Sequence, residues 1–392
     1  MADQFYFSRD TKLVITFDTS GVFEVPILDG FSFSQAQNIQ DITFNEAADS
    51  AGNSNRAREA VVNSLAPAEW SFQTYIRPFR SAGTDETFFA TRDGTNHNHL
   101  VEEVLWMMLA GADTYTDASS GAATAFLRGT DAVMTYGASA TASSFNFNQS
   151  NKTTLGTADF TFMLGAHDAS TDKVYKISDC VVNEVTIDFD LEGIATASWS
   201  GFGTIITDEN TNAPTVTVKE DIAATDNMIR NRLSAVRVNG ASGNTSGAVT
   251  HDITLTGGSI TISNNITYLT PEILGQVNTP LGHVTGTRTV SGSLTCYLND
   301  QSLGSASLFE DIIEDNKALR KNSYLVDLYI GGETGSFDLA APGMQISMPT
   351  CHLEIPTHSF DDIISTEIAF HALPSTVAGT NEISDIGFIG AA

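Results

Sequence analysis

The strongest constraint on the fold of this chain is an alternation of apolar and polar residues with a period of two. Segments 11–17, 70–76 and 182–191 alternate in this way and are rich in β-branched and aromatic residues. The same pattern occurs in six further segments, namely 30–34, 252–262, 288–298, 324–330, 351–355 and 365–370. Because successive side chains of a strand point to opposite faces, these segments predict strands, most with a buried and a polar face. The fold is therefore predicted to be mostly β.

Helical periodicity occurs in only two places. Between residues 99 and 112, apolar side chains recur at the spacing of one helix face. Between residues 306 and 320, Leu308, Ile312 and Ile313 form a second, shorter apolar stripe. We therefore expect one short helix in each half of the chain.

The two halves also resemble each other in sequence. Four segments of the first half have counterparts in the second half in the same order: 29–35 with 257–264, 70–76 with 292–298, 101–112 with 306–317, and 176–185 with 345–355. Four ordered matches predict a duplicated domain. We place the boundary at a polar stretch that contains Pro214, which gives domains of residues 1–206 and 207–392.

The charge of the chain excludes several classes of partner. There are 19 Lys and Arg residues against 47 Asp and Glu residues, so the formal net charge is −28. A protein that binds nucleic acid by neutralising phosphates needs a basic patch, and so does a protein that binds anionic membranes. The sequence has no run of 18 apolar residues and no secretion signal in its first residues. We expect no membrane binding by this chain.

Two groups of residues could carry chemistry. His97 and His99 precede Glu102 and Glu103, which is either a metal site or the acidic start of a helix. Asp188 and Asp190 alternate on one predicted strand, so they share a face, either as a catalytic or cation-binding pair or as part of an acidic surface. In both cases the second interpretation is favoured. The sequence contains no phosphate loop, dinucleotide motif or nucleophile elbow, so we predict no enzyme, no cofactor and no metal.

The order of the segments resembles the major tail tube proteins of long-tailed, siphovirus-type bacteriophages. The resemblance is carried by a strand pair (13–15 and 23–25), Gly30-Phe-Ser-Phe-Ser, a long polar loop, Glu69-Trp-Ser-Phe-Gln-Thr-Tyr-Ile, a helix and further paired strands. It implies units built as a β-sandwich or half-barrel flanked by one helix. Six such units form a ring, and their inner sheets join into a barrel around a DNA channel. The duplication resembles the variety in which three chains form a pseudo-hexameric ring.

The resemblance also implies partners and a location. We expect stacked rings of this chain in the virion tail, assembled from protein made in the bacterial host cytoplasm. Tape-measure, tail-tip and tail-terminator proteins are the other implied partners, and viral DNA would pass without specific binding. The alternatives are another β-structural virion protein, such as a decoration or baseplate protein, and a glycan- or calcium-binding protein that uses carboxylate pairs.

Candidate site residues follow from this interpretation. Carboxylates on the polar side of the inner strands would face the channel, and the candidates are Asp188, Asp190, Asp361 and Glu367. The long loop 40–67 would contact the next ring, with the candidates Asn45, Glu46, Asp49, Asn53, Arg56 and Arg58. Its counterpart in the second half is the loop 268–287. The resemblance does not account for an insertion at 114–144, for which we expect a surface hairpin or loop.

Overall fold

The computed structural model describes most of the chain, and every structural statement below concerns that part. The described residues are 6–17, 21–42, 47–48, 50–55, 59–80, 97–116, 125–137, 141–147, 154–165, 173–209, 214, 228–244, 247–270, 280–318, 323–332, 342–360, 362–376, 379 and 381–390.

The described residues form 28 strands and two α-helices. The strands of the first half are β1 (Thr11–Phe17), β2 (Gly21–Val25), β3 (Ser32–Ile42), β4 (Ala47–Ala48), β5 (Ser54–Asn55), β6 (Glu59–Tyr75), β7 (Pro78–Arg80), β8 (Asn98–Leu100), β9 (Thr114–Thr116), β10 (Ala125–Arg128), β11 (Asp131–Ala132), β12 (Met134–Thr135), β13 (Ser143–Phe145), β14 (Ala158–Leu164), β15 (Lys173–Asp190), β16 (Thr196–Gly203) and β17 (Ile206–Asp208).

The remaining strands are β18 (Ala235–Gly240), β19 (Thr250–Ile253), β20 (Leu255–Ser263), β21 (Thr267–Leu269), β22 (Gly282–Val284), β23 (Thr289–Tyr297), β24 (Tyr324–Gly331), β25 (Gly343–Leu353), β26 (Thr357–Phe360), β27 (Ile364–Ala372) and β28 (Asp385–Ile389). The helices are α1 (Glu103–Ala110) and α2 (Ser305–Lys317). The prediction of a mostly β chain with one short helix in each half is confirmed.

Eight strands form one antiparallel sheet that spans both halves. Its order is β3-β6-β16-β15-β20-β23-β27-β26, and β15 and β20 join the halves by hydrogen bonds from Glu184 opposite Ser263 to Asp190 opposite Gly257. This sheet has one face in the core and one face on the surface, as the period of two predicts.

A smaller sheet packs in each half, and the two smaller sheets have the same pairing. In the first half the order is β2-β1-β14-β15-β17, and in the second it is β19-β18-β24-β25-β28. The strands β15 and β25 each belong both to the small sheet and to the large one. They change sheet near Cys180 and Cys351, where the pairing with β14 and with β24 shifts register.

The core lies between the sheets and around α1. All eight residues of α1 are buried, because this short helix is apolar on almost every side. Trp106 of α1 packs edge-to-face on Trp199 of β16, with ring centroids 5.0 Å apart, and the Trp199 indole N–H donates to Thr74 Oγ1 at 2.9 Å. The helix ends at Gly111, which has a φ of 101°. The predicted range began at His99, but residues 98–100 form β8 instead.

Two predicted loops have a different structure from the one expected. Both ends of the segment 40–67 are strand, because β3 continues to Ile42 and β6 begins at Glu59. The two strands form a long β-hairpin, here called the arm (residues 36–42 and 59–67). The prediction of a loop was wrong there because the arm is exposed on both faces, so neither face produces a pattern of buried residues. In the segment 268–287, β21 and β22 form a second hairpin.

The insertion 114–144 is also more than a surface loop. Its strands β9, β10 and β11 form a small sheet. Phe126 of β10 and Val133, which follows β11, are fully buried. Phe126 lies against Phe17 and Phe23, at centroid distances of 5.7 and 5.9 Å. The aromatic side chains of the insertion therefore complete the first core.

The strand β28 connects distant parts of the chain. It pairs with β25 of the second half on one side and with β13 of the first half on the other. Phe388 of β28 packs on Phe145 of β13, with ring centroids 4.9 Å apart, and both side chains are fully buried.

Candidate functional site

The surface side of the eight-stranded sheet is a continuous polar surface, here called the polar face. Its residues are exposed or half-buried, and neighbouring strands bring them opposite one another. Hydroxyl and carboxylate side chains predominate in it, and its members include Ser32, Ser34, Glu69, Ser71, Gln73, Glu184, Thr186, Asp188, Asp190, Thr196, Ser198, Ser200, Ser259, Thr261, Ser291, Ser293, Thr295, Thr357, Ser359, Ser365, Glu367 and His371.

Cross-strand hydrogen bonds hold parts of the polar face in place. The Ser32 and Ser71 hydroxyls are 2.9 Å apart, and the Gln73 amide donates to Ser198 Oγ at 3.0 Å. At the joint between the halves, Thr186 Oγ1 and Thr261 Oγ1 lie 3.0 Å apart. Such pairs stabilise the register of neighbouring strands.

The structure places three of the four predicted channel carboxylates on this one face. Asp188, Asp190 and Glu367 are exposed on it, and Asp361 lies outside the described residues. Sequence reasoning missed Glu69 and Glu184, which lie on the same face. The signal was present, since Glu69 alternates with the buried residues Ala68 and Trp70 in β6 just as Asp188 does in β15.

Positive charge is scarce around these carboxylates. Within the eight strands, all of them described, the only Lys or Arg residues are Lys173 and Lys176, at the other end of β15 in the small sheet. Lys176 Nζ lies 2.6 Å from Asp159 Oδ2, and Lys173 pairs with Asp208. These hydrogen bonds raise the pKa of both lysines. The carboxylates of the polar face are therefore not neutralised by cations on their own sheet.

The residues around the start of α1 form a buried polar cluster. Glu103 accepts a hydrogen bond from the Leu100 backbone N–H (3.2 Å) and from the Tyr136 hydroxyl (3.2 Å), and its Oε2 lies 3.2 Å from His99 Nδ1. These contacts fit the interpretation of Glu103 as a helix-start residue.

Glu102 lies beside this cluster and is fully buried. Burial raises its pKa to about 7, against the opposing effect of the Arg77 guanidinium. In the part of the chain that the structure describes, no three His, Cys, Asp or Glu residues are grouped so as to hold a metal ion. No described helix is long and apolar enough to cross a membrane.

The arm presents a second surface, which is partly apolar. Ile39 of β3 lies opposite Val62 of β6, and their side chains are 60% and 48% exposed. Of the residues predicted to contact a next ring, Asn53 is described and exposed, directly before β5. The other five, Asn45, Glu46, Asp49, Arg56 and Arg58, lie outside the described residues.

Comparison with known proteins identifies the class to which this arrangement belongs. Residues 43–372 match the family described as phage tail tube protein, and the chain belongs to that family. It is thus a structural subunit of a bacteriophage tail tube, a component of the virion that assembles with copies of itself.

A particular relative supports the same assignment. The chain is 32% identical to tail tube protein pb6 of Escherichia phage T5 over 395 residues, which cover 97% of this chain and 75% of that protein. The resemblance drawn from the order of the sequence segments is confirmed.

Proposed function

We propose that the polar face lines the channel of the tail tube and that viral DNA passes along it during ejection. The observation that carries this proposal is an eight-stranded surface of hydroxyls and carboxylates without a lysine or arginine. Carboxylates repel phosphates at distances up to about 8–10 Å at physiological salt, and hydroxyls stay hydrated without holding a charge. DNA would slide along such a surface without being bound.

In this proposal the chain consists of two tandem copies of one tube domain, near residues 1–206 and 207–392. The matching pairings of the two small sheets support this division, and β17 at the boundary pairs with β15 of the first copy. Three chains would then form a pseudo-hexameric ring. Rings would stack through the arm, with its apolar pair Ile39 and Val62 in contact with the next ring.

The role is structural rather than catalytic, and the remaining partners follow from the family. A tape-measure protein would occupy the channel before DNA does, and tail-tip and tail-terminator proteins would close the two ends of the tube. The alternatives from the sequence, a decoration or baseplate protein and a glycan- or calcium-binding protein, would not form an open-ended hollow polymer.

The channel assignment is tested by reversing charge on the polar face. In D188K/D190K the net charge of each chain rises by four, because two carboxylates are replaced by two ammonium groups. In the matched control D188N/D190N it rises by two, because the carboxylates are removed without adding cations. We expect both variants to form tubes, visible by negative-stain electron microscopy. Phage carrying D188K/D190K should eject DNA more slowly at low salt than phage carrying the control. Equal ejection rates with normal tubes would show that these carboxylates do not face the DNA.

A further inference from the structure

The joint between β15 and β20 shows how this sheet can be extended. Seven successive residue pairs connect the two halves, from Glu184 opposite Ser263 to Asp190 opposite Gly257. The joint is antiparallel and continues both the polar face and the core face without a break. A second joint of the same kind needs two further strands, one in the position equivalent to β15 and one in the position equivalent to β20.

The strand β3 occupies the place of β20 in the other half. Segments 70–75 and 292–297, which match in sequence, lie in the neighbouring strands β6 and β23. Phe33 of β3 is opposite Trp70, and Ile260 of β20 is opposite Gly292. Phe33 and Ile260 therefore hold the same position, as do Ser34 and Thr261.

The strand β26 occupies the place of the end of β15. Tyr75 of β6 is opposite Thr196 of β16, which in turn is opposite Asp188 of β15. In the same way, Tyr297 of β23 is opposite Ser365 of β27, which is opposite Ser359 of β26. Asp188 and Ser359 thus correspond, and so do Phe189 and Phe360. The two corresponding strands, β3 and β26, are the two edges of the eight-stranded sheet.

In the described part of the chain, neither edge strand has a second neighbouring strand. Within the described residues, β3 pairs only with β6 and β26 pairs only with β27. Phe360 is 78% exposed, whereas its counterpart Phe189, covered by β20, is 4% exposed. Ile355, just before β26, is 58% exposed. An open edge with exposed apolar side chains is a surface for strand addition.

We propose that β26 of one copy pairs antiparallel with β3 of the next copy, in the register of the β15·β20 joint. Thr357 would then lie opposite Ser34 of the next copy, and Ser359 opposite Ser32. The inference rests on the proposed function and adds the strands, the direction and the register of the contact. Since the two edges differ, the association is head-to-tail, which generates closed rings when the rotation per copy closes.

Side-chain chemistry fits this register. The contact between the Thr186 and Thr261 hydroxyls at the internal joint corresponds to a second pair of hydroxyls, Thr357 and Ser34. Two carboxylates of the internal joint, those of Glu184 and Asp188, correspond to Ile355 and Ser359. Every copy is strongly acidic. A contact between copies with fewer carboxylates than the internal joint therefore has less electrostatic repulsion across it.

Disulfide cross-linking tests the register. Directly opposite Cβ atoms lie about 4.5–5.5 Å apart and diagonal ones about 7–8 Å, so only the opposite pair suits a disulfide. T357C/S34C tubes, once oxidised, should give a ladder of linked chains on non-reducing gels. The matched control T357C/S32C, displaced by two residues, should give at least tenfold less. The native cysteines are buried and add little background.

A second variant tests the same contact without requiring the cysteine variants to assemble. F360D should abolish tubes and leave the thermal unfolding of the monomer unchanged, whereas L303D, at an exposed leucine distant from β26 in sequence, should form tubes. Tubes of T357C/S34C without a ladder, a stronger ladder in the control, or normal tubes of F360D would each overturn the register but not the tube. Failure of the unmodified chain to form tubes at raised salt would overturn the proposed function itself.

Discussion

Cys180 and Cys351 hold the same position in the two halves of the chain, 171 residues apart. Each thiol lies near the carbonyl oxygen of the residue three positions earlier, Cys180 Sγ at 3.4 Å from Ile177 O and Cys351 Sγ at 3.8 Å from Met348 O. Each cysteine also adjoins a register shift against the preceding strand, β14 or β24. The likeness between the two halves therefore includes the irregularities of their strands. Two unrelated arrangements of β-sheets are not expected to share such irregularities.

The three cysteines should be unreactive in the folded protein. All are free and buried, and burial raises the pKa of each thiol, that of Cys296 to about 11. Since the thiolate is the reactive form, a colorimetric thiol reagent at pH 8 should modify none of them within minutes. In denaturant the same reagent should modify three per chain. Fast modification of the native protein would contradict the burial described here.

The apolar side of the arm should matter for stacking and not for folding. I39S/V62S removes the pair of exposed apolar side chains but keeps the strand pairing of the arm. We expect rings or short stacks in place of long tubes, with an unchanged melting temperature, measured by electron microscopy and circular dichroism. The control is L303S, at an exposed leucine outside both hairpins. Full-length tubes from I39S/V62S would exclude this contact between rings.

Glu102 should make the folded state less stable as the pH rises. Its pKa is raised from 4.5 to about 7, so the unfolded chain loses its proton first and folding is penalised between these values. The penalty reaches about 3 kcal/mol above pH 7 and is absent below pH 4.5. E102Q should therefore match the unmodified chain at pH 4.5 and exceed its free energy of unfolding at pH 8.

The measurement is urea unfolding of both chains at several pH values, in the F360D background that keeps them monomeric. Other titrating groups are common to the two chains and cancel in the difference. A difference that does not change with pH would show that Glu102 keeps an ordinary pKa.

Gly201 should tolerate no side chain. A Cβ atom there would lie 2.0 Å from the Val181 carbonyl oxygen and 2.4 Å from a ring carbon of Trp70. G201A should lower the free energy of unfolding by about 1–3 kcal/mol or more, because the core strands must separate to admit the methyl group. G243A, where nothing lies within 4 Å, should change it by less than about 0.5 kcal/mol. Equal urea midpoints for the two variants would contradict the close packing of β15 and β16.

Alternation of apolar and polar residues predicts those strands that bury one face. It does not predict strands that bury neither face or that change sheet along their length. Residues 182–191 alternate regularly and predict a strand, but β15 begins at Lys173. In its first part the buried positions shift phase at Val174, Ile177 and Cys180, since the strand passes from one sheet to the other. The arm was not predicted as a hairpin for a different reason. Both of its faces are exposed, so no alternation of apolar and polar residues marks its strands.

For the polar face, too, the sequence predicts one part of the arrangement and not the rest. Alternation along β15 was enough to place Asp188 and Asp190 on one face, and the same argument placed Glu367. The polar face as a whole depends on contacts between residues more than 70 positions apart, such as Thr186 with Thr261. Periodicity along the chain contains no information on which strands become neighbours, so the joint between the halves emerged only from the structure.

The position of β28 has a consequence for how the protein is made. Its partner β13 leaves the ribosome about 240 residues earlier, which corresponds to roughly ten seconds to a minute of translation at usual rates. During that interval Phe145 lacks Phe388, one of the two aromatic side chains that pack on it in the folded chain. The first half is thus kept unfinished until synthesis of the second half is nearly complete.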